Sequence, residues 1–298
     1  MSGDVKILDG AFLNCLDTLD LYVHEMKSGH YSGARRSRAY GSSPEFADYR
    51  EYVQGDDLRR IDWNLAGRFE KYYIKRFIDE KQGRNRIYLD MSASMGMPEQ
   101  KGMTALRLAA ALMYLSVSGM DCVSLQMLSG NRSADLCGNI VGREGFYGAV
   151  RKLETLCFAG ETDLRSAIGS DPNPGFDDGV TYIISDFLTD SDWKSAVDML
   201  LGRRREVAVI QVLSPQELEP DFSGTQCFCD AERTGDGARI QMDVDRSAME
   251  AYRKTLEGFL ADIRRFCASR GVPFMMVRSD ERVEEALLTK GCVEELIR

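Results

Sequence analysis

The sequence predicts an α/β fold, a mostly parallel sheet carrying helices on both faces, with a helical and loop-rich extension ahead of it. Three observations lead there. From residue 86 onward, apolar runs of strand length alternate with longer segments of helical periodicity, as in successive strand-helix crossovers. Two of the runs, Arg86-Ile87-Tyr88-Leu89 and Tyr182-Ile183-Ile184-Ser185, close on a carboxylate, Asp90 and Asp186, at the edge where doubly wound sheets hold ligands. The 298 residues are 44% hydrophobic, enough for a sizeable core.

In chain order, an amphipathic helix is expected over 8–27, where Phe12, Leu16, Leu19 and Val23 recur at helical spacing until Ser28-Gly29 stops it. A loop-rich stretch containing Gly33, Gly41, Pro44 and Gly55 follows. The alternation Tyr72, Ile74, Phe77, Ile78 then reads as a strand. Beyond it come a strand to Asp90, a helix over 104–118, a strand over 122–128 and helices over 145–156 and 164–168. A strand over 180–187, a helix over 192–200, a strand over 206–213, a long helix over 246–269 and a strand over 274–277 complete the alternation. Between 226 and 242 the turn Thr234-Gly235-Asp236-Gly237 marks a hairpin. The chain accordingly divides into an extension, 1–85, and a sheet domain, 86–298.

The longest apolar stretch, 109–117, is too short to span a bilayer, and Asp4, Lys6 and Asp9 stand where a signal peptide would be apolar. The expected location is cytoplasmic. Eight cysteines, at 15, 122, 137, 157, 227, 229, 267 and 292, form no C-x-x-C pair, and only two histidines, His24 and His30, are present to complete a zinc site. They read as reduced thiols, with Cys227 and Cys229 on one strand face. Net charge is −9, yet residues 31–86 hold thirteen Lys or Arg against nine Asp or Glu. Arg35, Arg36, Arg38, Arg59, Arg60, Lys75 and Arg76 are interleaved with Glu45, Asp48, Glu51, Asp56, Asp57 and Asp62, which favours internal ion pairing over a nucleic-acid surface.

The most informative motif is Asp90-Met91-Ser92-Ala93-Ser94, followed by Gly96 and Pro98. Residues two apart on an extended segment share a face, and a turn past the strand brings the next hydroxyl round to the same point. One carboxylate and two hydroxyls so gathered suit a hard cation such as magnesium. The competing reading is that these residues cap the following helix. Thr162, on the loop before Asp163-Leu164, and Asp186 fall at the same predicted edge.

With these five positions in place, the segment from 86 to 277 resembles the von Willebrand factor A domain and its metal-ion-dependent adhesion site. The resemblance implies that Asp90, Ser92 and Ser94 hold a divalent cation, magnesium or else manganese or calcium, directly or through water. Thr162 and Asp186 would complete the shell, leaving a position for a partner's Asp or Glu. A second resemblance spans almost the whole chain. Glu45-Phe46-Ala47-Asp48-Tyr49-Arg50-Glu51-Tyr52-Val53-Gln54-Gly55-Asp56-Asp57, Arg59-Arg60-Ile61-Asp62-Trp63 and Pro215-Gln216-Glu217-Leu218 look like the signature of the bacterial domain-of-unknown-function 58 family. Many of its members carry N-terminal membrane helices, which this sequence lacks. Members are often encoded beside MoxR-type AAA+ ATPases, which implies shared work in assembling or remodelling complexes.

The expected function is therefore a noncatalytic, metal-dependent protein-interaction module, an adaptor for such an ATPase. The alternatives are a magnesium-dependent hydrolase acting at the same ion and a nucleic-acid-binding protein. Against the hydrolase, the sequence places no His or Lys near the three loops, only Asp163 could assist, and there is no G-x-x-x-x-G-K-[ST] phosphate loop. For the signature segment, Asp56, Asp57, Arg59, Arg60 and Asp62 are expected to form an ion network over Trp63 and Phe46, pinning the extension to the sheet. Loss of Asp62 or Trp63 would then be strongly destabilising.

Overall fold

The computed structural model describes the backbone of residues 6–30, 40–69, 71–78, 83–174, 179–222, 224–232 and 239–291, with side chains for these apart from 24–30, 40–48, 60, 69, 75–78 and 291. The chain separates into two compact units, Met1–Val23 with Gly83–Arg298, and His24–Gln82. The sequence division fell at 85/86. The first turns of helix α1 (Gly10–His30) go with the larger unit because Phe12, Leu16 and Leu19 are buried in its core.

In the smaller unit, strand β1 (Tyr40–Glu51), a 3-10 turn (Leu58–Arg60), helix α2 (Trp63–Phe69) and strand β2 (Tyr73–Ile78) follow in order, with β1 and β2 antiparallel. Strand β2 lies where the alternation from Tyr72 to Ile78 predicts it, whereas β1 occupies a stretch expected to be loop-rich. Its pairing register shifts between Gly41 and Phe46 and again between Phe46 and Asp48, so the period-two alternation that marks a strand is broken. Here the polar signature residues work mostly as local caps. Asp62 is buried, its Oδ1 accepts from the backbone N–H groups of Asn64 and Leu65 at 2.9 and 3.4 Å, and its Oδ2 accepts from the Tyr49 hydroxyl at 3.1 Å. Asp57 accepts from Arg59 N at 3.0 Å. Asp56 pairs with Arg50 at 2.7 Å and accepts from Val53 N at 2.9 Å.

This corrects the expected packing of Trp63. Trp63 is 65% exposed and packs edge-on against Tyr72, ring centroids 6.2 Å apart. At the first turn of α2, one position past the capping Asp62, its direction is set by the cap and not by a core. The side chains of Phe46, Arg60, Lys75, Arg76, His24 and His30, and all of Arg35, Arg36 and Arg38, lie outside the described residues.

The larger unit is built on a six-stranded sheet. Its elements run β3 (Arg84–Asp90), α3 (Glu99–Ser118), β4 (Cys122–Ser129), β5 (Arg132–Asp135), α4 (Gly142–Leu153), α5 (Leu164–Gly169), β6 (Val180–Ser185), α6 (Trp193–Gly202), β7 (Glu206–Leu213) and α7 (Pro215–Leu218). There follow β8 (Gly224–Cys229), β9 (Arg239–Val244), α8 (Arg246–Ser269), β10 (Phe274–Arg278) and α9 (Val283–Ala286). The sheet order is β10-β7-β6-β3-β4-β5, parallel throughout except for the antiparallel edge strand β5. Strands β8 and β9 pair as a separate antiparallel hairpin, and its expected turn at Thr234-Gly235-Asp236-Gly237 lies outside the described residues.

Period-two alternation sorts the strand side chains onto two cores. Ile87, Leu89, Tyr182, Ile184, Ile210 and Met275 face one layer with α1, α3 and α4. Tyr88, Ile183, Val207 and Val209 face the other with α5, α6 and α8. Helix α3 begins five residues before its expected start. Its first turn carries Lys101, fully buried although charged, so the apolar pattern that marks a buried helix face begins only after it. Strand order reverses between β3 and β6, and the crevice outside their carboxyl ends is the place where open α/β sheets bind ligands.

Candidate functional site

Three segments converge beside that crevice, tied by backbone hydrogen bonds. Met91 N donates to Leu128 O at 2.9 Å, Ala93 N to Gly160 O at 2.8 Å and Ala159 N to Met91 O at 2.9 Å. Gly130 N donates to Glu161 O and Asp163 N to Gly130 O, both at 2.8 Å. Gly96 makes a further close approach possible: a Cβ there would fall 2.6 Å from Phe158 Cβ. The loops after β3 and β4 and before α5 thus form one braced platform, which carries Asp90, Ser92, Ser94 and Thr162, while Asp186 follows the neighbouring strand β6.

Asp90 and Ser185 are next in register on the paired strands β3 and β6. The Ser185 hydroxyl donates to Asp90 Oδ2 at 2.7 Å and accepts from Phe187 N at 3.0 Å, while Asp90 Oδ1 accepts from Ser92 N at 3.0 Å. Asp90 is 3% exposed. Burial pushes its carboxyl above the usual range, the Ser185 bond opposes this, and the nearby charge of Asp186 adds to the rise. Thr162, also buried, donates its hydroxyl to the Leu128 carbonyl oxygen at 3.3 Å and lies near enough to Asp90 to favour its charged form.

The two motif serines face each other, Oγ to Oγ, at 3.1 Å. Ser94 gives its single hydroxyl hydrogen to Glu232 Oε1 at 2.9 Å, so Ser92 is the donor of the pair. Neither hydroxyl caps a helix: α3 follows Pro98, which makes no side-chain cap bond. The capping reading of Asp90, Ser92 and Ser94 is therefore not the one the geometry takes.

Asp186 is turned differently. Its Oδ1 accepts from Leu188 N at 2.9 Å, and its Oδ2 accepts from Lys101 Nζ at 2.8 Å. The same ammonium donates to Glu217 Oε1 at 2.7 Å. Glu217 Oε2 in turn accepts from Ser214 N at 2.6 Å, closing a capping box at the start of α7. The Pro215-Gln216-Glu217-Leu218 signature thus supplies one of two carboxylates that hold a buried lysine. Behind Asp186, Phe187 adopts a left-handed backbone, φ 59°, with its ring buried against Trp193. Such a conformation costs on the order of 1–3 kcal/mol for a residue with a side chain and persists where the surroundings dictate it.

Lys101 corrects the expectation that no lysine lies near the loops. It is 11 residues beyond Asp90 and reaches back along the first turn of α3. Ser185, Glu217 and Glu232 were also absent from the predicted set. Ser185 could have been read from its place beside Asp186 on a strand pairing with Asp90's. Glu232 follows β8, more than forty residues beyond Asp186, and carries no local signal. Asp163 caps α5, accepting from Ser166 N at 3.2 Å and Ser166 Oγ at 2.6 Å, and the hydroxyl bond holds its carboxyl below the usual range. The cysteines that are described carry free thiols, with Cys227 and Cys229 both exposed on β8. Among the described residues, no group of three or more His, Cys, Asp or Glu is arranged to hold a metal ion. The oxygens gathered here are two hydroxyls with the Asp90 and Glu232 carboxylates around them.

No described helix is long and apolar enough to cross a membrane. Uncharacterized proteins of Mycobacterium tuberculosis and Mycobacterium bovis are each 26% identical over 286 residues, covering 94% of this chain and 88% of theirs. Among solved structures, a conserved hypothetical protein BatB from Bacteroides thetaiotaomicron aligns at 16% identity and TM-score 0.42, over 72% of this chain and 99% of its own. The SpRpn10 VWA domain aligns at 12% identity and TM-score 0.36, over 70% of this chain and 94% of its own. The family described as Protein of unknown function DUF58 matches residues 48–258, well over half of the chain, and the protein belongs to that family.

Proposed function

We propose that the protein is a metal-dependent interaction module whose carboxyl-edge site captures an acidic side chain of a protein partner. The observation that carries this reading is the Ser92–Ser94 hydroxyl pair beside a desolvated carboxylate. Their 3.1 Å separation matches the edge, about 3 Å, of an octahedron of oxygens about 2.1 Å from a magnesium ion. Asp90 is buried with a negative neighbour, Asp186, and a divalent cation would offset what burial takes from it. The donor set, all oxygen and mostly neutral, suits magnesium or manganese, with calcium the larger alternative.

In this scheme Ser92, Ser94 and Asp90 hold the ion, and Thr162 orients the Asp90 carboxylate. Asp186 contributes charge from the side, its oxygens being engaged by Lys101 and Leu188 N. When bound, the cation supplies a position for a carboxylate from outside. A binding role suits these groups better than hydrolysis. Lys101 is buried and held by two carboxylates, and Asp163 is committed to its cap, so neither is poised to take a proton from water. The ATPase partnership and cytoplasmic adaptor role implied by the family resemblance belong to the same proposal.

Capture from native lysate tests it, with wild-type and Asp90→Ala baits, each in magnesium and in chelator. The expected result is a partner retained only by the wild type with magnesium, while circular dichroism shows both baits folded. Equal capture in all four conditions, or none, overturns the reading.

A further inference from the structure

We propose that Glu232 is an internal ligand of the same cation, so that the chain occupies its own acceptor position until a partner's carboxylate displaces it. This rests on the cation reading above and adds to it a residue and a form of regulation.

The geometry is local and specific. Glu232 Oε1 lies 2.9 Å from Ser94 Oγ, the spacing of neighbouring oxygens around a small hard cation, and it continues the Ser92–Ser94 edge. Glu232 N donates to Asp230 Oδ1 at 2.9 Å, forming a turn just past β8. The side chain is partly buried, and the charges acting most strongly on it are Asp186, Asp90 and Asp230, all negative. An acidic side chain that accepts from the Ser94 hydroxyl and feels these negative charges is one that a cation held beside the two serines would make favourable. The buried ammonium beside Asp186, that of Lys101, is committed to Asp186 and Glu217.

Release would cost little elsewhere. Among the described residues, strands β8 and β9 pair with each other and not with the main sheet, and the aromatic contact of Phe222 with Phe228 does not involve Glu232. A side-chain rotation at Glu232 would clear the position without disturbing either core. The incoming group must then be a carboxylate able to replace one carboxylate with another, which favours an Asp or Glu on a protruding loop of the partner over a neutral or basic group.

Manganese titration of the full chain, followed by electron paramagnetic resonance of the free ion, tests the proposal in wild type, Glu232→Gln and Asp90→Asn. The expected result is binding by wild type, loss in Asp90→Asn, and an affinity in Glu232→Gln lowered about tenfold or more, since even outer partners of metal ligands cost that much when removed. In the manganese-loaded state, N-acetyl-aspartate amide should bind Glu232→Gln more tightly than wild type, because its internal competitor is gone. Equal manganese affinity in wild type and Glu232→Gln overturns the proposal and leaves the cation reading standing. Absence of binding by wild type overturns both. Should Glu232→Gln fail to fold, carbon-13 spectra of carboxyl-labelled glutamate in the wild type give the answer. Early loss of one glutamate signal under substoichiometric manganese supports the proposal, and uniform persistence of all of them overturns it.

Discussion

The two units use charged residues in opposite ways. In the smaller unit the dense run from Tyr49 to Trp63 does short-range work: Asp56, Asp57 and Asp62 each accept from backbone N–H groups two or three residues away, and Trp63 is largely exposed. In the larger unit a few groups far apart in sequence meet in one buried cluster, Lys101 bridging Asp186 and Glu217 across spans of 85 and 116 residues. Closely spaced charges can be satisfied by their own turn. Widely spaced ones must be satisfied by the fold, and removing one leaves the others stranded.

That difference sets a ranking of effects. Lys101→Met, which keeps most of the unbranched side chain but removes its charged end, is expected to cost about 3–5 kcal/mol by leaving Asp186 and Glu217 without that ammonium in a largely desolvated site. Urea unfolding measures this, and a loss under about 1 kcal/mol would break the contrast. Asp62→Ala should be milder, about 1–2 kcal/mol, the worth of a helix cap together with the Tyr49 bond. Trp63→Ala should move stability by less than about 0.5 kcal/mol, as for exposed side chains generally. A large drop in the melting temperature there would restore the packed role that the sequence suggested for this residue.

The order of strands and helices in the larger unit was legible because its strands are apolar and its helices periodic, and both signals come from burial on the sheet faces. The placing of Asp90, Ser92, Ser94, Thr162 and Asp186 at the carboxyl edge was legible for a related reason: each follows or flanks such a strand or loop, so the pattern that locates the sheet locates its edge. What was missed lacked that support. Strand β1 is interrupted by Gly41, Pro44 and two register shifts. Strand β5 is only four residues long, with Arg132 and Asp135 at its ends, and has no apolar run. Lys101 looks like a surface residue in sequence because burial of a lysine depends on partners that composition does not reveal. Glu232 owes its place to the β8–β9 pairing, which no short window contains.

The shortness of β5 bears on how the molecule meets others. A parallel sheet that ended on β4 would present eight residues of free backbone groups, a template onto which a strand of another chain could add. The last strand on that side is instead brief, antiparallel, largely solvated and charged at both ends. Lateral extension of the sheet past β5, by stacking of copies or by β-augmentation, is thereby discouraged. On that side a partner is left with side-chain contacts, and those can be made conditional on an ion in a way that a backbone ladder cannot.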